Sequence, residues 1–209
     1  MDRIKSWFWD GVAWAADIGS LWTGLGWIPK LCRWLLRRRR VVRAGGFEFF
    51  PDREALQRAH GPLWDRISNV KAIDALWTTG KDFYEGKKHL DKVRRLLLPN
   101  PNLPFTAELA ATVGGIAPNA LILEVTRTAQ AIPNTSVKWY NGPLYHMIIL
   151  ADADTQNGWV HVESILPYSA TGFRPSYTVH KKCSERTVQE FGRIFSEMWD
   201  RAEKPPGYK

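Results

Sequence analysis

The sequence predicts an α/β protein, a mixed sheet covered by helices on both faces, preceded by a tryptophan-rich amphipathic helix or helical hairpin. Three observations carry that expectation. Strand-like apolar runs alternate with helical stretches after residue 44, which is the signature of a layered α/β domain. Two β-rich runs flank the Asp-, Asn- and Gly-bearing segment ADADTQNG, which is hairpin chemistry. And the charge is unevenly placed: of the net +8, residues 1–43 hold +6, from nine Lys/Arg against three acids, together with six of the eleven tryptophans. The chain therefore reads as two parts, 1–43 and 44–209. With 44% hydrophobic residues it has enough apolar material for one sizeable core, and disorder, collagen and coiled coil are excluded. Cys32 and Cys183 make neither a disulfide framework nor a zinc-site spacing.

In the first part, Ile4, Trp7, Phe8, Trp14, Ile18, Leu21, Trp22 and Leu25 recur at helical spacing, with Asp10, Asp17 and Gly24 on another face. The uncharged run Ile18 to Pro29 is twelve residues, short of the roughly 20 that cross a bilayer as a helix. Indole rings favour the headgroup region, and each arginine beside it gains about 1 kcal/mol from anionic lipid. Trp7, Trp14, Trp22, Trp27 and Trp34, followed by Arg37, Arg38, Arg39 and Arg40, are thus expected to dock on anionic membrane lipid, with the rest of the chain on the cytoplasmic face of the cell membrane. Spanning through tilt or oligomerisation, or covering an apolar face of the second part or of a partner subunit, are the alternatives.

In the second part the elements read in order. Phe47 to Phe50 is a short apolar piece, and Asp52 caps a helix through Glu54, Leu56, Trp64 and Ile67, interrupted near Gly61 and Pro62. Ala72 to Thr78 is a strand, Asp82 opens a helix that runs to Val93, and Arg94 to Pro99 is a second strand. A long helical region from Thr106 to Ala131 breaks at Gly114, Gly115 and Pro118, and Val137 to Tyr140 is a third strand. The hairpin His146 to Ala151 and Trp159 to Ile165, the strand Ser176 to His180, and an amphipathic helix from Ser184 to Ala202 complete the order, with Ser184 and Thr187 as its cap.

That order, with VKWY before a hairpin reading HMIILADADTQNGWVHVE, resembles a phospholipase D-like domain over roughly residues 50 to 203. Members carry H-x-K, an acid and a G-S-x-N element on the hairpin. The resemblance places His146 at the nucleophile, Asp152 or Asp154 near the acid and Gly158 at the glycine, but Ile148 replaces the lysine, Trp159 the serine and His161 the asparagine. Transfer through a phosphohistidine needs cations on the phosphate oxygens, which isoleucine cannot supply. The resemblance therefore implies binding of a nucleotide, oligonucleotide or other phosphorylated ligand. Phosphodiester or lipid hydrolysis by His146 with Asp152 in a dimer is the alternative, and a protein-interaction module another.

The residues add ligand contacts of their own. Thr79, Gly80 and Lys81 follow the first long strand, where open α/β sheets bind ligands. Lys88 on the next helix, and Asn100 and Arg174 as rim residues, join them. No cofactor or metal is implied. A small membrane segment on a ligand-gated domain is similar to bacterial anti-phage membrane effectors, an arrangement that implies a homo-oligomer.

Overall fold

The computed structural model describes residues 42–81, 89–112, 117–132, 136–166 and 171–206, all within the unit Arg40–Lys209. The expectations for Trp7 through Arg40, for Lys88 and for a helix opened by Asp82 lie outside these residues. Among the described residues no helix is long and apolar enough to cross a membrane.

The chain forms β1 (Val42–Ala44), β2 (Phe47–Phe50), α1 (Arg53–His60), α2 (Leu63–Ser68), β3 (Ile73–Leu76), β4 (Val93–Pro99), α3 (Pro104–Thr112), α4 (Pro118–Ala131), β5 (Val137–Tyr140), β6 (His146–Ala151), β7 (Trp159–Ser164), β8 (Ser176–His180) and α5 (Glu185–Arg201). The eight strands make one mixed sheet in the order β1-β2-β8-β7-β6-β3-β4-β5. β3, β4 and β5 run parallel, and every other pairing is antiparallel.

Burial follows position in the sheet. β3 and the LLLP half of β4 are buried at every residue, as central strands covered on both sides must be, whereas the edge strand β5 alternates. Register divides the side chains. Glu48, Thr178, His161 and Ile149 lie opposite one another on one face, and Phe49, Tyr177, Val162 and Ile148 on the other. The second face is closed by α5, whose buried Val188 and Phe195 face the sheet while Phe191 meets the Tyr177 ring at 6.5 Å. On the first face Arg66 of α2 lies 4.4 Å above the Trp159 ring, the His60 ring of α1 meets Phe50 edge-on at 5.6 Å, and Thr128 of α4 approaches Gly80.

Local chemistry sets the ends. Asp52 caps α1 by accepting from the Ala55 N–H at 2.7 Å. The Ser184 and Thr187 hydroxyls bond each other at 2.8 Å, and the Ser184 side chain makes no bond to the backbone of α5. The edge of β5 is shut by Glu203, which exchanges both backbone bonds with Trp139 at 2.7 and 3.1 Å just before Pro205 and Pro206, residues that cannot extend a ladder. Phe47–Phe50 proves to be a full sheet strand on β8, and β1 begins at Val42, so the boundary expected at residue 43 falls inside the first strand.

Candidate functional site

The parallel strands end at one edge of the sheet, and antiparallel pairing brings the start of β6, the end of β7 and the start of β8 to that same edge. Thr79, Gly80 and Lys81 follow β3, Asn100 follows β4, His146 opens β6 and Arg174 precedes β8. All six described ligand candidates therefore share one edge. Asp152 does not. It follows the last residue of β6, six residues from His146, a separation of about 20 Å along a strand.

What Asp152 does is structural. It adopts the left-handed conformation at φ 47°, tolerable for an aspartate, and its Oδ1 accepts from the Lys71 and Ala72 N–H groups, each at 2.9 Å. His146 is exposed, and Ile148, two residues along the same face, brings no charge to it. Asp154, the other acid of the resemblance, accepts from Arg94 at 2.6 Å, so neither hairpin aspartate nor Ile148 brings to His146 the acid and cation that a phosphohistidine step needs.

Several candidates are occupied in holding the edge together. Asn100 is buried; its Nδ2 donates to Asn141 Oδ1 at 2.8 Å and its Oδ1 accepts from the Asn102 N–H at 3.0 Å. The Lys81 N–H donates to Thr79 Oγ1 at 3.2 Å, and Lys81 Nζ lies 3.5 Å from Glu124. Gly80, at φ 64°, packs so closely that a Cβ there would lie 2.6 Å from Thr128 Cγ2.

Arg174 is different. Expected on the rim, it is buried at 1% exposure. Its Nη1 donates to Glu163 Oε1 at 3.4 Å, while Arg53 on α1 donates to both Glu163 oxygens at 3.1 and 3.2 Å. One carboxylate therefore stands between two guanidinium groups, leaving a positive surplus. The Nε and Nη2 of Arg174, and the neighbouring Ser176 Oγ, are buried with no hydrogen-bond partner. Burial pulls the Arg174 pKa below its ordinary value; Glu163 opposes that and Arg53 adds to it. The next two residues in the chain, Pro175 and Ser176, line an open groove of about 380 Å³ together with Phe50, Pro51 and Ser164 among others.

One ladder step inward lies a second polar group that sequence reasoning did not assemble. His161 is buried at 1% exposure, with Nδ1 3.0 Å from Thr178 Oγ1 and Nε2 without a partner. Burial, reinforced by the charges of Arg66, Arg53 and His60, lowers its pKa to about 3. Arg66 stacks over Trp159 with both Nη atoms buried and unbonded. Glu48 lies 2.5 Å from His60 and also accepts from Arg43 at 2.8 Å. The one available signal was the spacing in WVHVES and SYTVH, where polar residues occupy alternate, inward positions of buried strands.

Among the described residues no group of three or more His, Cys, Asp or Glu is placed to hold a metal ion. Comparison with protein-family models and with curated proteins finds no match to this chain.

Proposed function

We propose that residues 42–206 form a non-catalytic, phospholipase D-like sensor module that binds a phosphorylated ligand at the Arg174 edge and controls a membrane-active N-terminal segment. The observation that carries this reading is Arg174: a buried guanidinium with two unbonded nitrogens and a surplus of positive charge, one residue before the groove-lining Pro175 and Ser176. Burying donors without acceptors costs free energy, and a phosphate presents several acceptors to a guanidinium in paired geometry. Ser176 supplies a hydroxyl from the same groove. The ligand class is a nucleotide, oligonucleotide or other phosphoryl compound.

Chain order supplies a route for control. Arg53 sits on the first helix after the β1–β2 hairpin, and that hairpin follows directly from the N-terminal segment. A ligand that satisfies Arg174 and shields Glu163 changes the hold of Arg53 on the sheet, and hence the seat of α1. In this reading the N-terminal tryptophans and arginines lie on the cytoplasmic face of the cell membrane, the protein is a homo-oligomer, and the setting is anti-phage defence.

The test is calorimetric titration of the full-length chain in mild detergent with inorganic phosphate and with a short oligonucleotide. Arg174→Met is expected to weaken binding tenfold or more, on the order of one charge-assisted hydrogen bond. Unchanged affinity in that variant overturns the reading. For the membrane half, expression is expected to depolarise cells only when residues 1–40 are present, and depolarisation that survives their deletion overturns it.

A further inference from the structure

The Arg66–His161 cluster lies outside the Arg174 edge, and the proposed ligand at that edge does not account for it. Arg66 stands over Trp159, and His161 is two residues further along the same face of β7, about 7 Å away. The two Nη groups of Arg66 carry four N–H donors, all buried and without an acceptor. Trp159 offers its ring face, which attracts the charge and accepts none of those hydrogens in line. Two carboxylates stand on this face, and both are taken: Glu48 by His60 and Arg43, and Glu163 by Arg53 and Arg174. When the Thr178 hydroxyl donates to His161 Nδ1, the neutral ring carries its proton on Nε2 and adds a further inward donor. The cluster therefore holds buried donors that no hydrogen bond satisfies, and Glu48 acts on Arg66 only through its charge.

From this arrangement we infer that Arg66, His161 and Thr178 form a second, internal site for a small free oxyanion of phosphate size, seated between α2 and the β7–β8 ladder. The Arg66 fork takes two oxygens in parallel, as planar guanidinium groups do, and His161 Nε2–H takes a third. Thr178 does not touch the anion; by donating to Nδ1 it supports the tautomer that presents Nε2–H to the anion. Because His161 binds as the neutral imidazole, occupancy needs no protonation of this buried ring. An anion here ties α2 to β7 and β8, so the site is a structural brace beneath the helices that carry Arg53 and Arg66. The inference stands apart from the Arg174 reading, since it rests on a different set of unbonded donors, those of Arg66 and His161.

Phosphate stoichiometry separates the two. Inorganic phosphate titrated into the full-length chain in detergent is expected to fill two sites per chain, with Arg174→Met and Arg66→Gln each leaving one and the double variant none. Arg66→Lys keeps the charge but loses the fork, and is expected to bind at the inner site roughly tenfold more weakly while remaining folded. His161→Gln, whose amide retains a donor, is expected to keep the inner site, and His161→Leu to lose it. One site that Arg174→Met abolishes and Arg66→Gln or Arg66→Lys leaves untouched overturns this inference and spares the function proposed above. One site lost in Arg66→Gln but unchanged in Arg174→Met does the reverse. No phosphate bound by the wild-type chain means that water alone satisfies Arg66, and the inner site falls.

Discussion

The sharpest consequence of the buried polar strip is a pH dependence that belongs to a single ring. His161 has an ordinary pKa near 6.5 when the chain is unfolded and about 3 when it is folded, because protonation would place a charge in a desolvated site already facing Arg66, Arg53 and His60. A group whose folded pKa is depressed binds fewer protons in the native state, so stability is fully present above the unfolded value and drains away as pH falls. The gap corresponds to roughly 4 kcal/mol between pH 7.5 and pH 3, of which about 2 kcal/mol is lost by pH 5. Other groups contribute to the same slope: Asp74 and Glu48 have lowered pKa values, and so has His180. The measured quantity is therefore a difference. Urea unfolding of the wild type and of His161→Gln at pH 7.5 and pH 5, in buffers free of phosphate and carboxylate, is expected to show the wild type losing about 2 kcal/mol more than the variant over that interval. Parallel losses in the two proteins would refute the assignment, because they would mean that His161 titrates alike in both states.

Three further changes test other parts of the structure. Asp74, buried at 1% exposure, accepts from Arg94 and Arg95 through Nε and Nη2 of each at 2.5 to 3.1 Å, and Asp74→Asn is expected to cost about 3 kcal/mol in chemical unfolding. Burial alone would raise the pKa of this carboxyl, but the two guanidinium groups more than offset it, so its contribution is held at neutral pH and lost as pH falls through the lowered value. Gly80→Ala combines a positive φ with a Cβ 2.6 Å from Thr128 Cγ2 and should destabilise by roughly 2 to 4 kcal/mol, while adding Thr128→Ser should recover the steric part and leave the backbone part, read as a double-mutant cycle in urea. Phe195→Ala, removing a ring with no exposure from beneath α5, should cost about 3 to 5 kcal/mol in melting or urea experiments, with Arg95 losing the ring that it faces at 5.1 Å.

Much of the fold was legible because local pattern and burial agree. The hairpin β6–β7, the run that became β4, the strand Ser176–His180 and α5 each carry their period in the sequence, and the structure places them within a residue or two of expectation. Elements whose identity depends on distant partners were less legible. FEFF is too short to announce itself as a strand; it becomes one because Tyr177 and Val179 of β8 lie beside it in register and offer an open ladder. The helical region expected from Thr106 to Ala131 with a break near Gly114, Gly115 and Pro118 is indeed two helices, Pro104–Thr112 and Pro118–Ala131, the second with a proline in its first turn, although the residues between them lie outside those described. Ahead of β4 the described residues make a single 3-10 turn, Leu90–Lys92, whose i to i+3 bonding differs little in pattern from the α-helix expected there.

At the sheet edge, the placement of the candidate residues was legible and their chemistry was not. Strand ends can be read from sequence, and a sheet edge follows from them, so Thr79, Gly80, Lys81, Asn100, His146 and Arg174 could be sent to one edge without knowing a contact. Whether a polar side chain at such an edge is free to bind depends on partners many residues away, and that separates two residues that looked alike. Asn100 finds Asn141 and Asn102 and is used up. Arg174 finds one carboxylate already shared with Arg53, from a helix more than a hundred residues earlier, and keeps two nitrogens unspent. The same arithmetic applies to Arg66 and His161, which local pattern would assign to a solvated helix face and a strand interior. Burial turns each into an unfilled demand for acceptors, and that demand rather than any motif is what marks them as candidate binding residues.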